Sequence, residues 1–541
     1  MSASAPGRVR GRGRFAQVAA GVAALTLASR IVGFGRWLVF SKTVGDTCLG
    51  DAYNSANQLP NVLFEIAAGG VLASVVVPVI SRQLSQGRDG EASRTASAIL
   101  CWTLILLTPF ALGAMVLAQV YAEGFVQSRC AGAVDSAASL LVIFGPQIWL
   151  YGLAVVSAGV LQAHRRFVAA AAAPLASSAT VISTYIVFGL IADPGGRDDP
   201  ALLQTRALDV LGWGTTAGVL VLASVTFVPL LRLRLRLRPT VRFPAGVLGV
   251  ISAIAGASVA GLIIQQLSVM AGVLAAKQSA VPGAWTRATW ANAVYLLPFA
   301  VLVSPLLQMI FPRLSAASVD GFRAVAEVLS RIGPPLCTLS ALGAGLLIAD
   351  AVPVARLLVL GPGSAQVGSL AWPIIGYAPA VVGFALMGLA TRTLYAERRA
   401  RRAGLTNVIG WAVVIIGVVL VGLLAAPDQV VTGIAMANSL GMVVGAVVGW
   451  ALILTDWPER PRLGLARPLL RGIPIGLAAG ALVAVAGRRL GQAGIVGSAL
   501  GAVGAAVICT LLFALGIRLL DRRSWSGLLA LRHQGRTDES N

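Results

Sequence analysis

Long apolar windows recur along this chain, separated by short polar breaks rich in arginine. A stretch of about 20 apolar residues crosses the ~30 Å hydrocarbon core of a bilayer as a helix, because a helix satisfies its own backbone polar groups there. By that measure about fourteen spans emerge, at about 16–43, 54–81, 96–121, 136–162, 167–192, 208–231, 247–276, 287–314, 326–349, 367–391, 404–425, 429–455, 468–487 and 494–517. The pattern predicts an all-α integral membrane protein. Arg8, Arg10, Arg12 and Arg14 precede the first span, as in a signal peptide, but mostly apolar residues continue for about a dozen positions past Ser29-Arg30. A permanent first helix fits that run better.

The two halves of the chain share signals at a fixed offset. Span 2 ends in Pro78-Val79-Ile80-Ser81 and span 8 in Pro312-Arg313-Leu314-Ser315, 234 residues on. Leu161-Gln162-Ala163-His164-Arg165-Arg166 follows span 4, and Leu394-Tyr395-Ala396-Glu397-Arg398-Arg399 follows span 10, 233 residues on. Two independent matches at nearly one offset predict a duplication, with an even number of spans between equivalents and hence two parallel six-helix lobes. Such repeats usually enclose a central cavity, and spans 13 and 14 lie outside them. The expected organisation is a basic tail (1–15), an N-lobe (16–231), a basic linker (232–246), a C-lobe (247–455), a two-helix appendage (456–520) and a C-terminal tail (521–541).

Composition supports the membrane reading, since 57% of the 541 residues are hydrophobic and only 12% charged, too few to solvate a globule. A net charge of +21 in a soluble chain would suggest nucleic acid as partner. In so apolar a chain the arginines set topology instead, and about 30 of the 42 basic residues fall on one side, including Arg232, Arg234, Arg236 and Arg238. Both termini are therefore expected in the cytoplasm. The Arg-Leu alternation of 232–238 reads first as an orientation signal, with a strand or a leaflet-surface segment holding anionic headgroups as alternatives. The five cysteines have no CxxC spacing, so no metal or redox site is expected; a Cys48–Cys130 disulfide would require both loops to face outward. His164 and His533 sit at basic edges and the acidic cluster Asp193, Asp198, Asp199 in a Gly/Pro-flanked loop, so both read as solvated surface.

Charge within the membrane is costly and marks function. Arg30 and Arg36 in span 1 are separated by about 9 Å of rise and about 120° of azimuth, within reach of one cavity for side chains of that length. In span 2, Asp51, Asn54, Asn57, Gln58, Asn61 and Glu65 recur at three- and four-residue spacing and form one polar stripe. Counting rise from the outer ends puts Glu65 at about the depth of Arg30, which predicts an ion pair between them in at least one conformation. Gly33, Gly35, Gly69 and Gly70, with Pro60 and Pro78, suit bent or closely packed helices.

These residues carry a resemblance. Ser29-Arg30-Ile31-Val32-Gly33-Phe34-Gly35-Arg36, then Asp51-Ala52, Asn57-Gln58-Leu59-Pro60-Asn61 and Val77-Pro78, resemble the MurJ (MviN) family of lipid II flippases, as do Leu297-Pro298 and Phe311-Pro312-Arg313-Leu314-Ser315. The wording is similar to the actinobacterial branch. The resemblance implies an exporter fold of the multidrug/oligosaccharidyl-lipid/polysaccharide superfamily, with two lobes around a cationic cavity and spans 13 and 14 bordering a groove for a lipid tail. It implies as cargo an undecaprenyl-pyrophosphate carrying the peptidoglycan disaccharide-pentapeptide, or a similar polyprenyl-pyrophosphate glycan, moved across the bacterial cytoplasmic membrane. Arg30, Arg36 and Asp51 match residues the family uses in its cavity. Two positions depart: Phe64-Glu65 and Asn292-Ala293 stand where many members have arginine, leaving a less cationic cavity unless Arg287 or Lys277 reaches in.

The expected site residues are thus Arg30, Arg36, Asp51, Asn57, Asn61, Glu65, Arg287 and Asn292. Arginine forks bind phosphate oxygens bidentately, which suits a pyrophosphate cargo carried by alternating access. No cofactor is expected, and Asp51 and Glu65 are the candidates should Na+ or H+ couple to transport. Membrane lipids and cell-wall assembly proteins are the further expected partners. The alternatives are a flippase for another lipid-linked oligosaccharide and a drug or cation antiporter of the same fold, which would favour acidic and aromatic cavity residues. A membrane glycosyltransferase would need paired carboxylates near one face and large external loops, and neither is evident. A non-transporting scaffold for envelope assembly is the remaining class.

Overall fold

The computed structural model describes residues 9–66, 73–127, 129–233, 235, 237–244, 246–279, 281–359, 361–363, 366–488 and 494–537. The expected features at Arg8, Gly69, Gly70, Arg234 and Arg236 lie outside them. Among the described residues there are helices and no strands, and twelve helices are long and apolar enough to cross a membrane. The two expected spans beyond those twelve are the first, now one 35-residue helix, and the second, which includes undescribed residues. Fourteen therefore stands as an approximate count. The chain divides into two compact units, one through Leu262 and the other from Ile263 on.

In the first unit the helices are α1 (Val9–Thr43), α2 (Cys48–Glu65), α3 (Ala73–Ser85), α4 (Asp89–Val116), α5 (Ala118–Phe125), α6 (Ala133–Ala163), α7 (Phe167–Ile191), the short α8 (Gly195–Asp198), a 3-10 turn at Pro200–Leu202, and α9 (Thr205–Leu231). α6 is the centre, packed by α2, α3, α4 and α9, while α7 bridges α1 and α9. Its apolar core at one end joins Val76, Ile80, Ala96, Val156, Val160 and Leu230. The described residues of the linker up to Pro244 form neither helix nor strand: Leu233, Leu235 and Leu237 pack on that core, while Arg232 and Arg238 are exposed.

The helix Val247–Gln278 (α10) contains the boundary between the units. Beyond it lie α11 (Ala284–Pro298), a π segment Phe299–Val303, α12 (Ser304–Ala317), α13 (Phe322–Leu358), α14 (Gly368–Gly376), α15 (Ala378–Ala396), α16 (Ala400–Leu424), α17 (Val430–Asp456), α18 (Ala466–Arg488), α19 (Ile495–Leu520) and α20 (Arg522–Thr537). α13 is the hub here, carrying α15, α18 and α19. Pro298 and Pro305 flank the π segment, each withdrawing a backbone donor from what the sequence reads as one span. The C-terminal tail is in large part a helix. Asp521, fully buried, accepts from Ser524 Oγ (2.5 Å) at its start and pairs with Arg467 Nε of α18 (2.7 Å).

One backbone detail appears in both units. Arg165 (φ 59°) and Arg398 (φ 60°) are the two non-glycine residues with left-handed backbone among the described residues, and they are the equivalents at the 233-residue offset. Each closes its helix with the same pair of bonds. Arg166 N donates to Leu161 O (2.8 Å) and Arg165 N to Gln162 O (2.9 Å); Arg399 N donates to Leu394 O (2.8 Å) and Arg398 N to Tyr395 O (3.0 Å). This paired helix stop normally takes glycine at the left-handed position.

Candidate functional site

α2 begins where it does because Thr47 caps it, its Oγ1 accepting from Gly50 N (3.1 Å), and Asp51 sits in the first turn where a carboxylate favours the helix dipole. A Cys48–Cys130 disulfide ties this start to the segment before α6, closing 82 residues of chain. From the sequence this pairing was conceivable only if both loops face outward. Adjacency came from α2 packing along α6, a contact that spacing along the chain does not reveal.

The polar stripe of α2 changes character along its length. Asp51 (7% exposed) and Asn54 (6%) are buried at the capped end, Asn57 and Asn61 are half-buried, and Glu65 is exposed. Asp51 and Asn54 have polar partners within the protein. Asn57 differs, for its Oδ1 is buried without a hydrogen bond. Asn61 Oδ1 accepts from Tyr151 Oη on α6 (3.3 Å), and the Tyr151 ring lies against Phe64 at 4.5 Å between centroids.

Arg36 enters this region from α1. Its guanidinium lies 5.4 Å from the Trp37 ring centroid, and its Nε is buried with no hydrogen-bond partner. It is close enough to Tyr53, Tyr151 and Tyr185 for each to feel its charge, and Tyr151 also feels that of Glu65. Behind it, Tyr53 Oη bonds Tyr185 Oη (2.8 Å) and Thr215 Oγ1 (3.0 Å), and Phe40, Phe144 and Tyr185 pack against the Tyr53 ring. Three of the chain's seven tyrosines thus gather around one arginine, a signal the sequence reading missed because it looked for charge and amide groups. Arg30 is exposed, and no ion pair joins it to Glu65 among the described residues.

In the second unit, Arg287 is 2% exposed on α11 and has a partner in the protein. It lines a cavity of about 710 Å3 with Gln366, Ser369, Trp372, Asp428 and Thr432. Asn292 is half-buried a turn before Tyr295, whose ring stacks on Tyr377 at 4.9 Å. A separate groove of about 1060 Å3 runs between α15, α17 and α18, lined by Ala344, Val382, Leu386, Val447, Trp450, Ile473 and Leu477, with Arg462 and Arg467 also on its lining. Apart from those two arginines its surface is overwhelmingly apolar, which suits a hydrocarbon chain better than a polar solute. Among the described residues no group of three or more His, Cys, Asp or Glu is placed to hold a metal ion.

Comparison with known proteins matches this chain over residues 40–504 to the family model described as "Lipid II flippase MurJ". A protein of Rhizobium meliloti (strain 1021) named "Probable lipid II flippase MurJ" is 26% identical over 483 residues, covering 86% of this chain and 84% of its own. Among solved structures, "Lipid II flippase MurJ, inward closed conformation" superposes with a TM-score of 0.71 at 15% identity, over 92% of this chain and 99% of that one. An inward-facing multidrug resistance MATE family transporter of the MOP superfamily superposes at 0.62 and 14% identity, over 80% and 96%. Identities this low speak to the fold alone.

Proposed function

Since the chain belongs to the lipid II flippase MurJ family, we propose that it carries lipid II, the polyprenyl-pyrophosphate peptidoglycan precursor, from the inner to the outer leaflet of the bacterial cytoplasmic membrane. It is a multi-pass transporter, not an enzyme. The observation that carries the reading is Arg36. A buried guanidinium nitrogen without a hydrogen bond on α1, and an Asn57 carbonyl oxygen also without one on α2, are costly to keep unless a ligand completes them. A pyrophosphate supplies acceptors for the arginine fork, and the amide and hydroxyl groups of Asn57, Asn61 and Tyr151 suit a polar headgroup.

In this reading Arg36 and Arg30 hold the pyrophosphate. Asp51 and Glu65 are the groups through which Na+ or H+ would couple, and Asn292 and Arg287 are the polar substrate candidates within the second unit. The apolar groove along α18 takes the prenyl tail, and the paired helix stops at Arg165 and Arg398 support the duplication of the two lobes. Cytoplasmic termini are favoured by the arginine asymmetry, and the Cys48–Cys130 disulfide supports that orientation, since such bonds persist on the oxidising side of the membrane. Export of an anion from a negative interior gains ~2.3 kcal/mol per charge per 100 mV, so the membrane potential can drive the cycle.

The test is the leaflet accessibility of lipid II in cells depleted of the protein and rescued with the wild type, Arg36→Ala or Arg30→Ala. Depletion is expected to trap lipid II in the inner leaflet, with rescue by wild type and not by Arg36→Ala. Unchanged outer-leaflet exposure on depletion, in cells with no second flippase, would sink the assignment.

A further inference from the structure

A second polar cavity, of about 670 Å3, lies in the first unit between the start of α4 and the linker, and the transport reading makes no use of it. Arg94, Arg238, Ser93, Ser97 and Thr240 line it, with Asp89 as the one carboxylate. We propose that this cavity binds the phosphate of an anionic phospholipid headgroup from the adjoining leaflet.

The chemistry comes first. Arg94 and Arg238 both line the cavity, and among the described residues neither forms an ion pair with Asp89 or with any other carboxylate. Like charges are held together at a cost unless an anion lies between them, and arginine forks with adjacent hydroxyls match phosphate oxygens. Ser93 is 8% exposed, and among the described residues its hydroxyl makes no hydrogen bond, which suits it as a further donor.

The linker is fixed in place to form this wall. Arg238 N donates to Ser97 Oγ (3.2 Å), Trp102 Nε1 donates to Val241 O (2.9 Å), and Leu233, Leu235 and Leu237 anchor the segment in the core. The cavity is therefore built into the fold and does not depend on a chance approach of surface arginines.

Depth selects the source of the phosphate. Along α4 the first exposed apolar side chains are Trp102, Ile105 and Leu106, followed by Phe110, which form a lipid-facing surface. Ser97 stands about 7.5 Å of helical rise from Trp102, close to the ~5–7 Å thickness of the headgroup layer on each side of the core. Trp102 marks the boundary, as tryptophans do at membrane interfaces. The cavity thus opens at headgroup level, where a phospholipid reaches it with its acyl chains lying along the exposed face of α4.

The experiment uses the purified full-length protein in nanodiscs of phosphatidylcholine with a small fraction of phosphatidylglycerol, and native mass spectrometry reads the bound lipid. One tightly held phosphatidylglycerol is expected on the wild type. Its affinity should fall about tenfold or more in Arg94→Gln/Arg238→Gln and in Ser93→Asp, which adds a carboxylate to the cavity. Arg232→Gln, on the same linker but outside the cavity, should change it by less than about twofold. Equal binding by all variants, or equal preference for phosphatidylcholine, overturns the proposal. Complete displacement by millimolar inorganic phosphate overturns it too, by making a soluble phosphate the occupant. Should the double arginine variant fail to fold, Ser93→Asp decides, with a melting curve as its control.

Discussion

Gly476 on α18 offers a perturbation whose size follows from the geometry. Gly472, Gly476 and Gly480 recur every four residues and turn one face of α18 toward Ala341 and Gly345 of α13. A methyl group at Gly476 would press against the carbonyl oxygen of Ala341, and one at Gly480 against that of Gly345, both far inside the 3.4 Å at which ordinary contact begins. The obstacle in each case is backbone, which cannot rotate away. The two helices would have to part by about 1 Å, a strain that in packed interiors costs ~1–3 kcal/mol. A gap of that size also forfeits roughly a quarter to a half of the dispersion energy of each contact across the seam.

We expect Gly476→Ala to lower the unfolding free energy by ~1–3 kcal/mol, and Gly476→Ala/Gly480→Ala to cost less than the sum, because one displacement accommodates both methyls. Gly504→Ala on α19, where nothing lies within 4 Å, is the control and should be neutral or stabilising by up to ~1 kcal/mol. Unfolding of the purified protein in detergent measures all three. Because Ile473 and Leu477 of the same helix line the apolar groove, transport should fall with the shift of α18. Wild-type stability in Gly476→Ala would refute the close-packing argument.

Other expectations are simpler. Replacing Cys48 with serine opens the 82-residue loop and should destabilise the protein by ~2–4 kcal/mol, with reductant giving the same loss in the wild type and none in the variant; equal stability with and without reductant would show that the bond contributes nothing. Arg165→Gly and Arg398→Gly relieve left-handed backbone at the paired helix stops and should each raise stability by up to ~1 kcal/mol in a thermal melt, so a loss at both would contradict the reading of those turns.

What the sequence disclosed depended on whether the signal was local. Hydropathy located the spans because burial in lipid acts on each window by itself, and the stripe on α2 was legible because helical periodicity is local too. The matching helix stops at Leu161–Arg166 and Leu394–Arg399 were legible, since a helix stop is encoded in a few adjacent residues. Contacts between distant segments were not. Cys48 meets Cys130, Tyr151 meets Asn61, and Gly476 meets Ala341 only through packing of helices far apart in sequence. The depth argument that paired Arg30 with Glu65 in at least one conformation used rise along each helix and lacked azimuth between helices; here both side chains are exposed, and among the described residues no ion pair joins them. The Arg-Leu linker was half legible: its alternation was plain, and its role as one wall of a cavity on α4 required the fold.

The central claim is that this chain moves lipid II with Arg36 as a ligand of its pyrophosphate. The most direct test is transfer of fluorescent lipid II between leaflets of liposomes containing the purified protein under an imposed membrane potential. The account predicts transfer by the wild type, a loss of about tenfold or more in Arg36→Ala with an unchanged melting temperature, and partial retention in Arg36→Lys, which keeps the charge without the fork. No transfer by the wild type, or equal transfer by wild type and Arg36→Ala, would contradict it.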